Sequence, residues 1–422
     1  MSDLFTYLPR KMPSTRLRNK VRFRFAGIML LSFLLSAPLS SQEPREAYLS
    51  GLARMKESKY REALEYFDMA VEADRDNARY YVKSAECHYQ LKEYREAIGQ
   101  LMNIPGKRDG AAEFLAAKSY AMLGDADHCI EALRAHLLSD NRLPESTILL
   151  DEAFAGLEDN RQWIGFWKQE WYQETDYQLA EINYLITSGD YLDAMEILND
   201  IINSGQADHR HYALRARAYT GLGNLNNALS DYNRALEKNN SEAGYYLGRA
   251  ALYIQLNKPA RSLPDYTKAI QLQPDRFDSY YARAQAYLDV ADYESASSDM
   301  QFLLRYFPDN TAYLYETGMI YYTDSKYSKA LEIFNRLLRI NTGSAPYFMA
   351  RANTYMKINY YRYAQQDYSM ALDLDPSNAE CYLNKGLSRF HLGDKEGACV
   401  DWKKAERLGA QEAGELLSKH CK

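Results

Sequence analysis

A small residue returns every 34 positions along most of this chain. Stepping back from Ala398 gives Ala364, Ala330, Ala296, Ser262, Ala228 and Ala194, and a second row stands twelve residues earlier, at Gly386, Ala352, Gly318, Ala284, Ala250 and Ala216. Seven copies follow one another from 175 to 412 without insertion or deletion, the first with Ile182 in place of its leading small residue. Each copy carries apolar residues at helical spacing, a short polar break such as Leu222-Gly223-Asn224 or Leu392-Gly393-Asp394, and a second helical stretch. Proline closes several second stretches (Asp375-Pro376, Gln273-Pro274, Phe307-Pro308), because it disfavours helix in the residue before it. Two antiparallel helices alone cannot bury their apolar faces, whereas stacked pairs can, so the period predicts a solenoid.

Ala216, Tyr219, Ala228, Tyr232 and Ala235 of one copy, and Ala352, Tyr355, Ala364, Tyr368, Ala371 and Pro376 of another, resemble the tetratricopeptide repeat motif. The same pattern stands nearer the N-terminus, with Gly51, Tyr60, Ala63, Phe67 and Ala70 in 44–77 and Ala85, Tyr94 and Ala97 in 78–109. Between about 104 and 174 the register slips, and two degenerate copies can be drawn, the first around Ala117, Gly124 and Cys129. The resemblance implies an all-α, right-handed superhelical solenoid of antiparallel helix pairs, with about nine clear and two degenerate repeats. The divisions are an N-terminal pair (42–109), a degenerate seam (110–174), seven contiguous repeats (175–412) and a capping helix (413–422).

Ahead of the array, seven basic residues between Arg10 and Arg24 precede an apolar run from Phe25 to Leu35 and the small-residue stretch Ser36 to Gln42. That order reads as a signal peptide, residues 1–41, cleaved after Ser41. An uncleaved membrane anchor is the alternative, and Met12 offers a second start. Without residues 1–41 the chain holds 44 basic against 56 acidic residues, which makes it a poor partner for nucleic acid or an anionic membrane. Other proteins or peptide segments are the expected partners, no cofactor is expected, and the oligomeric state stays open.

Cys399 lies ten residues before Gly409 and Cys421 twelve after it, so a helical hairpin brings them opposite each other as a disulfide. The whole ending, from Gly397-Ala398-Cys399 to Cys421, resembles the closing segment of exported bacterial repeat proteins. Cys87 and Cys129 occupy small packing positions and read as core, and Cys381 has no assignment. Arg215, Arg249, Arg283, Arg351 and Lys385 recur at one position, with Asp231, Asp265, Asp299, Asp367 and Asp401 sixteen residues later. Copy 311–344 lacks both, with Thr317 and Ile333 in their places. Joint presence and joint loss argue for a structural ion pair within each copy rather than a basic stripe for ligands.

No His-Glu-x-x-His, Cys-x-x-Cys, glycine-rich phosphate loop or nucleophile elbow occurs, so no catalytic, cofactor or metal residue is assigned and the chain reads as a non-enzyme. His209 and His211 read as surface residues. Trp163, Trp167 and Trp171, at i, i+4 and i+8, read as one helix face that fills the core of the slipped region, with a partner-docking edge as the alternative. The resemblance places the first helix of each pair along a concave groove, with Leu247, Ala251 and Ile254, then Tyr281, Gln285 and Leu288, then Tyr315, Met319 and Tyr322, then Met349, Asn353 and Met356 along it. An apolar row with Tyr and Met suits an extended segment or a helix of another protein. The two-carboxylate clamp of cytosolic co-chaperones needs Lys and Asn on successive first helices, and no three consecutive copies supply that set. These readings converge on an exported scaffold, in the periplasm, on the outer envelope or outside the cell, that binds protein partners. The alternative is a binder of unfolded chains in the periplasm or the ER lumen.

Overall fold

The computed structural model describes residues 43–421, and the expected signal peptide lies outside them. The described residues are helical throughout, with no strand among them. The first three pairs are α1 (Glu43–Lys56) with α2 (Tyr60–Ala73), α3 (Ala78–Gln90) with α4 (Tyr94–Met102), and α5 (Gly110–Met122) with α6 (Ala126–Leu137). The seven-copy run begins with α9 (Glu174–Ser188) and α10 (Tyr191–Asn203), then α11 (His209–Gly221) and α12 (Leu225–Lys238), α13 (Ala243–Gln255) and α14 (Pro259–Leu272), and α15 (Phe277–Asp289) and α16 (Tyr293–Tyr306). It continues through α17 (Thr311–Thr323) and α18 (Tyr327–Ile340), α19 (Ala345–Lys357) and α20 (Tyr361–Leu374), and α21 (Ala379–His391) and α22 (Lys395–Arg407). A last helix, α23 (Gln411–His420), packs on α22, beginning two residues earlier than the sequence suggested. Consecutive helices pack in antiparallel pairs along the chain, as the all-α right-handed solenoid requires.

Close helix approach explains the small-residue rows. A Cβ added at Gly318 would stand 2.4 Å from Phe334, and one at Gly386 would stand 2.4 Å from Trp402. The small residue on the first helix makes room for the ring sixteen residues later on the second. Where the first residue grows, the second shrinks: Ile182 faces the matching position Leu198, and both are fully buried. Conserving the summed volume keeps the interior close-packed at that pair.

The break between the helices of a pair is a left-handed residue that recurs with the period, at Gly189, Gly223, Asn257, Ala291, Ser325, Asn359 and Gly393. Glycine adopts that conformation at little cost, whereas Ala291 and Ser325, both at φ 58°, hold it against their Cβ atoms. Several first helices start on a side chain that accepts from an otherwise unpaired amide, as Asn77, Asp109, Asn310 and Asn378 do.

The slipped region is shorter than its sequence implied. Helices α5 and α6 form a regular pair, and only the following stretch is irregular, with α7 (Glu145–Leu149), a 3-10 segment (Glu152–Leu157) and α8 (Arg161–Phe166). Pro144 starts α7, and Asp151 and Asn160 cap the next two segments, so one expected helix pair is cut into three short turns. The three tryptophans therefore do not share a helix face. Trp163 lies within α8, Trp167 caps its C-terminus and Trp171 sits in the irregular stretch before α9. They still fill one core, with Trp163 5.7 Å from Trp167, and Trp171 4.7 Å from Phe166 between ring centres.

One contact joins distant parts of the array. On α1, Leu49 is 3% and Ala53 0% exposed, packed in one cluster with Phe277, Tyr280 and Tyr306. Tyr48 Oη donates to Asp275 at 3.3 Å, Lys56 meets Asp278 at 2.6 Å and Arg305 meets Glu46 at 3.2 Å. The superhelix thus returns on itself, α1 lying against the pair α15–α16.

Candidate functional site

First helices of successive repeats touch one another, α9 with α11, α11 with α13, α17 with α19 and α19 with α21. That places them on the shorter, inner arc, and the face they form is the concave surface. The ten residues singled out on it, Leu247, Ile254, Tyr281, Gln285, Tyr315, Met319, Tyr322, Met349, Asn353 and Met356, are all half-buried. Several are also engaged with neighbouring repeats, and Asn353 is held within its own. Tyr281 Oη and Gln285 Nε2 both donate to Glu316, at 2.6 and 2.7 Å, so that carboxylate ties two repeats together and pushes the Tyr281 hydroxyl up to about 12, after burial as the larger cause. Tyr315 packs on Tyr347 at 5.4 Å, and Asn353 Oδ1 accepts from Tyr368. Gln285 and Asn353 are therefore already spoken for as hydrogen-bonding groups.

The open space lies upstream of those ten. A cavity of about 430 Å³ opens between α9, α11 and α13, floored by Leu179, Ala213 and Gly244 and walled by Tyr245. Arg210 and Arg217 stand exposed at its edge, Arg217 Nη1 donating to Asn183 Oδ1 at 3.1 Å. A second cavity of about 430 Å³ lies among α1, α3 and α5, lined by Met55, Tyr89, Phe114, Lys118 and Asn141. The signal for the first was present in the sequence: Ala213 occupies an inner position where other copies carry Leu179, Leu247, Tyr281, Tyr315, Met349 and Leu383, and Arg217 follows one turn on. Reading only the Tyr and Met rows passed over it.

His209 and His211 are not surface residues as expected. His211 is 7% exposed and joins Asp208 in capping α11, while His209 Nδ1 meets Tyr245 Oη of the next repeat at 2.7 Å. Burial would raise Asp208, yet the hydrogen bond and charge of Arg210 bring it down to about 2.

The charged rows are scaffold. Arg215, Arg249, Arg283 and Arg351 each meet Asp231, Asp265, Asp299 and Asp367 of their own copy in two-point contact, the closest pairs at 2.6 to 2.7 Å. Sequence comparison missed the remaining nitrogen. Each Nη1 donates to the second helix of the preceding copy, at Asn199, Asn233, Thr267 and Asn335. In the last copy Lys385 stays 3.7 Å from Asp401, and Arg389, one turn on, makes the close pair at 2.8 Å. In copy 311–344, Tyr321 instead accepts from Gln301 on the second helix of the preceding copy.

At the C-terminus Cys399 and Cys421 are bonded, with Cα atoms 5.8 Å apart. Cys87, Cys129 and Cys381 are buried free thiols, each pushed up to about 12 by burial. Among the described residues, no group of three His, Cys, Asp or Glu side chains is gathered for a metal, and no helix is long and apolar enough to cross a membrane.

The tetratricopeptide repeat family model matches residues 48–104, 213–277 and 281–345. Over 203 residues the chain is 25% identical to the Hsp70-Hsp90 organizing protein of Triticum aestivum, a match covering 44% of this chain and 34% of that relative. The chain thus spans about a third of that relative's length. The C-terminal part of a TPR repeat-containing protein from Cytophaga hutchinsonii superposes with a TM-score of 0.50 at 18% identity, over 56% of this chain and 98% of that one. A tetratricopeptide repeat protein from Parabacteroides merdae is 23% identical over 58% of this chain and 98% of its own, with a TM-score of 0.39. At 18% identity the Cytophaga likeness is one of fold. Period, helix pairing and packing residues agree with the family match, and the chain carries tetratricopeptide repeats.

Proposed function

We propose that this chain is an exported, non-enzymatic scaffold that holds a segment of a partner protein on its concave surface during assembly of an envelope or secreted complex. The observation that supports it most is the cavity between α9, α11 and α13, where Ala213, in the place of a larger residue, leaves room beside two exposed arginines on the inner arc. An apolar floor with a few polar groups at the rim suits a side chain of an extended segment or a bound helix. The half-buried row from Leu247 to Met356 continues the same face and extends the path such a segment would follow.

Proximity labelling of the protein in its own compartment names the partner, and titration calorimetry with that partner tests the surface. Ala213→Leu fills the cavity and weakens binding, while Tyr315, Met319 and Tyr322 changed together to Ser test the continuing row. Unchanged affinity in both variants, with helical circular dichroism intact, would count against the concave face. Fusion of residues 1–41 to a phosphatase active only outside the cytoplasm tests export, and an inactive fusion removes that part of the reading.

A further inference from the structure

We propose that α1 is a releasable clasp that closes the array by docking on the outer face of α15–α16, and that its release widens the concave passage between the N-terminal repeats and the seven-repeat run. The consequence for partners rests on the concave-surface reading above, whereas the clasp itself does not.

Leu49 and Ala53 occupy positions that, in later copies, pack on the preceding repeat. No described helix precedes α1, yet both residues are buried, because α16 takes that place. The receiving face is peculiar to its copy. Phe302 and Tyr306 stand where the other six copies of the run carry Asp200 and Ser204, Arg234 and Lys238, Lys268 and Leu272, Arg336 and Ile340, Met370 and Leu374, or Lys404 and Leu408. At those equivalent positions Ile340, Met370 and Leu374 are 43%, 47% and 45% exposed, but Tyr306 is 5% exposed. An aromatic pair thus appears in the one copy where another helix covers it.

The contact has the makings of a reversible one. Its apolar part on α1 is small, the buried Leu49 and Ala53 with the half-buried Leu52, and the ion pairs Lys56–Asp278 and Glu46–Arg305 are exposed, so salt screens them. Its position ties it to the passage. Met55, beside Lys56, lines both the cavity among α1, α3 and α5 and a further cavity of about 430 Å³ between α1 and residues 273–278.

A carbodiimide tests the clasp on the unmodified protein, since it joins an amine to a carboxylate in contact with loss of water. Peptide mapping of the monomer should find Lys56 linked to Asp278, with the link between Lys118 and Asp151, 2.7 Å apart within 110–174, as internal control. Absence of the first link beside a clear second one overturns the clasp, and a Lys56–Asp278 link found only in dimers overturns docking within one chain. The variant Phe302→Arg with Tyr306→Lys copies the surface of repeat 209–242, where Arg234 and Lys238 lie over Tyr212 as Phe302 lies on Tyr280, so the fold tolerates it. It should lose the Lys56–Asp278 link, keep the control link and show a larger radius of gyration in X-ray scattering. Persistence of the link shows that the aromatic pair is not what holds α1. Raising salt to about 1 M, where screening acts within a few ångströms, should enlarge the wild-type radius as well, and a radius unmoved by both salt and variant refutes release.

Discussion

The Arg351 guanidinium grips the Asp367 carboxylate at two points, Nε and Nη2 donating at 2.7 and 2.8 Å to its two oxygens. The carboxylate side chain is 8% exposed, so water does little of the solvation that it would do in an unfolded chain. Asp367→Ala should therefore cost about 3 kcal/mol, because it leaves the arginine without its partner in a buried place. Arg351→Thr with Asp367→Ile, which copies Thr317 and Ile333, should cost less than Asp367→Ala alone. Denaturant titration read by hydrogen exchange in α19 and α20 checks both, and a double variant as unstable as the sum of the singles would refute the coupling.

At Gly318 the first helix lies against the ring of Phe334, which is fully buried. Gly318→Ala places a methyl group 2.4 Å from that ring and should destabilise the repeat by about 2 kcal/mol, although alanine is the better helix former. At Ala352, the same position one copy on, replacement by Gly should lose only about 1 kcal/mol. Opposite rankings of the two variants in thermal melts would contradict the packing argument.

Ala291 holds a left-handed turn that Gly223 and Gly393 hold without strain. Ala291→Gly should stabilise the pair α15–α16 by about 0.5 to 1 kcal/mol, the relief of the Cβ clash less the greater freedom that glycine gains when unfolded. A higher melting temperature is the expected result.

The bond between Cys399 and Cys421 closes a loop over a sequence separation of 22 residues. In the chain-entropy model that constraint contributes about 3 kcal/mol, and in a solenoid it acts near the end that carries it. Reduction should raise amide exchange in α23 and α22 while leaving α11 and α12 unchanged. Uniform loosening of the whole array would show that the cap is coupled to every repeat.

The remaining three thiols make a pH prediction. Folded, Cys87, Cys129 and Cys381 keep their protons to about 12, against an ordinary value of 9.0. Between those limits the unfolded chain binds fewer protons than the folded one, so stability is full below about 9 and falls as pH rises toward 12. Denaturant midpoints across that range should decline, less steeply in a variant with all three changed to Ala. Alkylation at pH 8 should modify none of the three until the chain unfolds.

Much of the architecture was legible because it is periodic. The 34-residue step located helices, turns and facing small residues together, and joint loss at Thr317 and Ile333 sorted Arg and Asp into pairs before any coordinates. The third bond of each arginine was harder to see, since Asn199, Asn233, Thr267 and Asn335 vary in type while filling one role. Trp163, Trp167 and Trp171 misled because helical spacing says nothing about where a helix stops, and caps at Asp151 and Asn160 stop it early. On the concave side, large residues drew attention while the room was left by a small one, Ala213. The return of α1 onto α16 joins residues more than 220 positions apart, as Lys56 and Asp278 are, and no local pattern encodes such a meeting.

The third nitrogen of each arginine carries a mechanical consequence. Every junction it spans is riveted from one copy into the second helix of the copy before, as Arg283 is to Thr267 and Arg351 to Asn335. Between α16 and α17 that rivet is missing, because Thr317 stands where the arginine would be, and a side-chain contact of Gln301 with Tyr321 serves in its place. The junction of α20 and α21 lacks the rivet too, since Lys385 stands there, so the run does not flex evenly along its length. Under tension from its two ends it bends first at these two joints, one of them beside the surface on which α1 rests.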